Sequence, residues 1–158
     1  MPHQRRLSFE RERGVTHIAL RHGLAHYSVE CTAAQRLDTI RALADAEVPI
    51  FLVKIDPDGF SFLTRENHAA EADVILGQAN GRWHRTNDLA LVSTVAGSMR
   101  DLSGVISRIH DALIEAKVAV RRTGDAYDAV HCLVDGAMAA AAVAALERAF
   151  GLESGANA

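Results

Sequence analysis

The stretch Ala96-Gly97-Ser98-Met99-Arg100-Asp101-Leu102-Ser103-Gly104 is where this sequence comes nearest to a ligand site. It follows an apolar run and precedes a helical one, so it reads as a loop feeding a helix N-terminus. Such a junction presents backbone N–H groups without partners, and the helix dipole adds positive potential. That combination suits a carboxylate, such as that of a free amino acid. Gly97 and Gly104 allow close backbone approach, and Ser103 is placed to cap the helix. Asp101 has the charge to receive an α-ammonium group, and Arg100 the charge to hold an acidic ligand. The plainer reading makes Ser103 a cap and leaves Arg100 and Asp101 as solvated loop charges.

Other chemistry finds less footing. His22 and His26 fall around one strand, where residues four apart stand about 13 Å from each other and cannot share a metal. Cys31 and Cys132 have no CxxC partners, so no metal and no cofactor are expected, and the thiols read as small, buried and reduced. There is no GxxxxGK[ST] phosphate loop, no GxSxG elbow and no HExxH pair. Arg121 and Arg122 read as edge-strand charge that discourages aggregation, and Trp83 as a residue packed between two halves. The net charge of −3 gives no basic excess for nucleic acid or an anionic membrane. No apolar run approaches the roughly 20 residues of a membrane span. The charged N-terminal stretch lacks the apolar core of a secretion signal. The expectation is a cytoplasmic globular protein.

The elements that must position the loop are written twice. Residues 14–20 and 24–30 read as strands joined by a turn around Arg21-His22-Gly23. Helix 33–47 sets Leu37, Ile40, Leu43 and Ala44 on one face. Strand 48–55 ends at Asp56-Pro57-Asp58-Gly59, strand 60–64 returns, and helix 66–79 carries Ala72, Ile75, Leu76 and Ala79. The second half gives strand 89–95, helix 104–117 with Val105, Ile109, Ala112, Leu113 and Ala116, and a short strand at 118–120. Thr123-Gly124-Asp125 turns the chain, strand 129–134 returns, and helix 136–150 buries Met138, Ala142, Leu146 and Phe150. ALADAEVPI (42–50) lies over ALIEAKVAV (112–120) in the same phase, which makes duplication the better account.

A tandem β-α-β-β-α unit with a glycine-containing loop before a helix resembles the ACT fold, and the second half resembles the regulatory region of aspartokinases. The family's strand, V-G-x-G-M loop and P-G-V helix start correspond to Val92 through Val105. Gly81-Arg82-Trp83 resembles its linker, and RALADAEVPI (41–50) the helix-to-strand passage of its first ACT domain. The resemblance spans residues 14–152. It implies an α+β, ferredoxin-like fold with two ACT units, 14–82 and 83–152, whose antiparallel sheets are covered by helices on one face. Residues 1–13 and 153–158 would be tails, and strand 14–20 belongs either to the first unit or, in the manner of aspartokinases, to the second sheet.

The resemblance also implies a first effector loop at Cys31-Thr32-Ala33-Ala34, where the family has D-K-P-G. The second loop has Ser98 for a glycine and Ser103 for the proline, so the fold is better supported than the family's lysine or threonine response. The leading expectation is a non-catalytic homodimeric regulator that binds an amino acid and modulates an enzyme of amino-acid biosynthesis. The aspartokinase catalytic domain has no counterpart here, so the chain is not expected to phosphorylate aspartate. One alternative is an ACT scaffold without effector binding, acting through oligomerisation. Another is a small enzyme or nucleotide binder using residues 96–104, for which no nucleophile with its base is present.

Overall fold

The computed structural model describes residues 14–99 and 102–152. Six strands and four α-helices are found among these described residues. The first half has β1 (Val15–Glu30), α1 (Ala33–Asp45), β2 (Phe51–Asp56), β3 (Gly59–Arg65) and α2 (Ala69–Gln78). The second has β4 (Arg82–Ala96), α3 (Val105–Glu115), β5 (Arg122–Asp125), β6 (Ala129–Asp135) and α4 (Ala139–Ala149). All six strands form one antiparallel sheet in the order β2-β3-β1-β4-β6-β5. The separate sheets expected from the repeat are therefore one.

The joint is the pair of long central strands. The first part of β1 pairs with the end of β4, as in Ala19 with Ser93 and Leu20 with Val92. The last part pairs with the start of β4, as in Tyr27 with Arg85 and Val29 with Trp83, and on its other side with β3. Residues 14–30 were expected to form two strands about a turn, but Arg21-His22-Gly23 is a bulge within one strand. Its register shifts between Arg21 and Leu24, with Gly23 at φ +69°. A bulge satisfies the backbone while adding a residue and sharpening the twist, so the ladder continues through it. Likewise β5 begins at Arg122, and Thr123-Gly124-Asp125 is strand rather than turn.

All four helices lie on one face of this sheet. Leu24, Leu63, Leu89, Leu91 and Leu133 gather on the opposite face. Their strand neighbours Ala25, Ala90, Val92, Cys132 and Val134 point the other way, into the two helical cores. In the first core Tyr27 stacks on Phe62 at 4.9 Å, and its hydroxyl donates to Asp73 Oδ1 at 2.8 Å and the Ala69 carbonyl at 3.0 Å. Arg85 grips the other Asp73 oxygen, tying α2 to β1 and β4. Burial and Asp73 push the Tyr27 phenol up to about 12. Trp83 belongs to this first core, 6.1 Å from Tyr27, rather than bridging the halves. Leu37, expected on the buried face of α1, is 49% exposed.

The duplication seen in the sequence reaches the hydrogen bonds. At the end of α1, Glu47 N–H donates to the Ala44 carbonyl and Val48 N–H to that of Leu43; at the end of α3, Lys117 and Val118 donate to Ile114 and Leu113. This is the Schellman arrangement, whose left-handed position usually takes glycine. Here Glu47 (φ 55°) and Lys117 (φ 57°) occupy it, a conformation that costs a residue with a Cβ about 1 kcal/mol or more. Glu47→Gly and Lys117→Gly are therefore expected to stabilise the fold, each by about 0.5–1 kcal/mol. Urea unfolding checks this, and a loss of stability in both variants would count against the helix ends described.

Candidate functional site

The second loop leaves β4 at Ala96 and is held from below by the β5–β6 turn. Ala96 N–H donates to the Asp128 carbonyl at 2.8 Å and Met99 N–H to the Tyr127 carbonyl at 3.0 Å. Gly97 is exposed, Ser98 is half-buried, and the Met99 side chain packs on the second core. Arg100 and Asp101 lie outside the described residues. Ser103 is exposed and is not the helix cap; that position is Gly104, at φ +72°. A left-handed turn there suits glycine and supplies no oxygen. Among the described residues no side-chain hydrogen bond caps α3.

The first loop is built differently. Thr32 is the N-cap of α1, and its Oγ1 accepts from Gln35 N–H at 3.3 Å while Gln35 Oε1 accepts from Thr32 N–H at 2.9 Å. This reciprocal capping box takes the donors that a ligand carboxylate would need. The Gln35 amide goes on to donate to the Asn80 carbonyl, and Cys31 N–H to that of Asp58. Arg36 spans from α1 to the β2–β3 turn, donating to the Asp56 carbonyl at 2.8 Å and the Gly59 carbonyl at 3.2 Å. The Cys31 thiol is half-buried, and burial pushes its pKa up. The structure thus brings Cys31 and Thr32 together at a helix N-terminus that the protein fills with its own groups. Thr32 and Gln35 at that spacing carry a capping signature in the sequence; the Tyr127 and Asp128 carbonyls under the second loop are backbone atoms and left none.

The remaining polar groups do not converge on either loop. Arg121 pairs with Asp135 at 2.6 Å, which pushes its pKa up, and β5 is the sheet edge where charge was expected. An open groove of about 620 Å³ runs along the C-terminal end of α3, lined by His110, Leu113, Ile114, Val120, Arg121 and Arg122 among others. Ser93 and His131 pair across β4 and β6 at 2.7 Å, with burial lowering the histidine pKa. Cys132 is buried, its thiol pushed up to about 11. Among the described residues, no three His, Cys, Asp or Glu side chains gather as a metal site, and no helix is long and apolar enough to cross a membrane.

The two helix starts make opposite predictions for the same chemical change. Thr32→Ala removes a working cap and is expected to cost about 1 kcal/mol. Ser103→Ala removes an exposed hydroxyl that caps nothing and is expected to change stability by less than about 0.5 kcal/mol. Paired thermal or urea denaturation decides it, and equal losses would return Ser103 to the capping role.

No protein-family model and no curated protein matches this chain. Solved structures do. The structure of aspartokinase alpha and beta subunits superposes with a TM-score of 0.80 at 23% identity, covering 88% of this chain and 100% of that one. The regulatory subunit of aspartate kinase from Thermus flavus gives 0.76 at 19% identity, covering 87% and 99%. Aspartate kinase from Synechocystis gives 0.80 at 18% identity over 92% of this chain, but only 28% of that longer enzyme. Two of these matched chains are thus spanned almost end to end, and the fold of this protein is that of aspartate kinase regulatory subunits and domains.

Proposed function

We propose that this chain is a non-catalytic regulator made of two ACT units, which binds an amino acid at its second loop and modulates a partner enzyme. The observation that carries the reading is the end-to-end likeness to a free-standing regulatory subunit, 99% of which is covered. The sheet supports the two-unit description. Half of it has the order β2-β3-β1-β4 and the other half β1-β4-β6-β5, so each unit borrows a stretch of a central strand from the other. The units are then residues 14–82 and 83–152, with strand 14–20 contributed to the second sheet. Leu37, Val53 and Ile55, exposed along α1 and the edge strand β2, favour a homodimer that buries this edge.

We place the effector site at Ala96, Gly97, Ser98, Met99, Arg100, Asp101, Ser103 and Gly104, because among the described residues no side chain caps the start of α3, whereas Thr32 and Gln35 cap that of α1. One amino acid per chain follows, with lysine and threonine the first candidates and the cytoplasm the compartment. A second reading, an ACT scaffold without an effector, is favoured by one observation: Asp128 and Tyr127 already hold the Ala96 and Met99 N–H groups.

A thermal-shift screen against the twenty amino acids at millimolar concentration separates the readings. A ligand at a hundredfold excess over its Kd adds about 2.7 kcal/mol, so the sensor is expected to show a selective rise in midpoint. Gly97→Asp sets a carboxylate at an exposed loop position, and it is expected to remove that rise without changing the ligand-free midpoint. Thr32→Ala is expected to keep the rise. No shift with any amino acid leaves the scaffold reading. For the sensor, linkage requires the partner enzyme to change the amino-acid affinity by the factor that the amino acid changes the partner's.

A further inference from the structure

The face opposite the helices carries an arrangement that the regulatory reading does not use. The two edge strands, β2 and β5, stand at opposite ends of the strand order, yet they touch across this face. Leu52 lies over the backbone of Gly124, where a Cβ would overlap Leu52 Cδ1, and Lys54 Nζ lies 3.7 Å from the same point. Leu52 reaches there from a left-handed backbone (φ 48°) inside an irregularity of β2, between the paired residues Phe51 and Lys54. A branched residue in that conformation stores strain, which its contact must offset. Beneath lie Leu24, Leu63, Leu89, Leu91 and Leu133.

His26 sits at the margin of this closure. It pairs with Leu63 on β3 and Thr86 on β4. Its Nε2 is buried and has no hydrogen-bond partner among the described residues. Arg122 at the start of β5, Arg121 just before it and His84 on β4 each act against a proton on His26, the Arg121 guanidinium being itself paired with Asp135 of β6. On β2 the neighbouring charge is Lys54, and on β3 it is Arg65, two residues beyond Leu63.

We propose that Leu52 seated on Gly124 is a latch that holds the edge strands β2 and β5 together over the helix-free face, and that proton uptake by His26 opens it. Burial first, then Arg122, His84 and Arg121, pushes the His26 imidazole down to about 4. The folded, latched form therefore favours neutral His26. The latch is intact above pH 6.5, and as pH falls toward 4 the open form takes up the proton more readily. Neither the identity of an effector nor its existence enters this inference.

Hydrogen exchange on the full chain, corrected for the intrinsic pH dependence of amide exchange, reads the latch directly. From pH 7 to pH 4.5 the amides of 51–56 and 122–125 are expected to exchange about tenfold faster together, while those of β1 and β4 hold. His26→Leu is expected to remove that pH dependence. Gly124→Ala displaces the flexible end of Leu52 and is expected to give fast edge exchange already at pH 7. Unchanged edges at pH 4.5, acceleration of all strands alike, or full pH dependence retained in His26→Leu would each overturn the proposal. Should His26→Leu not fold, the imidazole titration by NMR decides: in Gly124→Ala it is expected to move up toward 6.5, and an unmoved titration overturns the latch.

Discussion

Every other contact in this protein is arranged around the antiparallel pairing of β1 with β4. Two strands of 16 and 15 residues run through both halves of the molecule. Each half completes its own sheet only by using part of both. Neither half has enough strands of its own to cover its helices, so the halves cannot separate without exposing backbone donors and acceptors along the whole ladder. The bulges at Arg21–Leu24 and Leu24–His26 let one ladder serve two helical cores, because they add residues without turning either strand's apolar side away from the helices.

The two halves match at their helix ends and differ at their helix starts. The Schellman turns after α1 and α3 match hydrogen bond for hydrogen bond, even to the unfavourable occupants Glu47 and Lys117. The N-termini differ: Thr32 and Gln35 form a reciprocal cap on one, and Gly104 begins the other with no side-chain cap among the described residues. A helix end must connect to a strand in the same geometry in both halves. A helix start carries no such constraint, so its capping can differ between the halves.

The helix-free face shows the same economy from the other side. A sheet this twisted brings its edges around toward each other, and here they meet through Leu52 and Gly124 over a cluster of leucines. The edge strands thus gain partial cover without a helix. The consequence is a histidine set among cations in a place that favours its neutral form.

Much of this could be read from the chain. The order of the elements followed from periodicity and turn chemistry, and the α+β class from the resemblance to the ACT fold. The repeat of 42–50 in 112–120 followed from local sequence alone, because helix ends are set by short-range hydrogen bonds. The loop at 96–104 was legible as a helix start, whereas Thr32 was read as part of an effector loop and its capping pair with Gln35 emerged only in the structure. What local sequence did not settle was long-range pairing. Residues 14–30 carry the glycine and polar signals of a turn at Arg21-His22-Gly23, and those signals serve a bulge equally well. Only the neighbouring strand decides between them, and β4 lies some seventy residues away along the chain. The same holds for Trp83, for the carbonyls beneath the second loop and for the meeting of Leu52 with Gly124. The sequence determined which segments form strands and helices, since that depends on near neighbours. The tertiary structure decided how many sheets those strands make and which strands lie side by side, since both depend on partners the local pattern does not name.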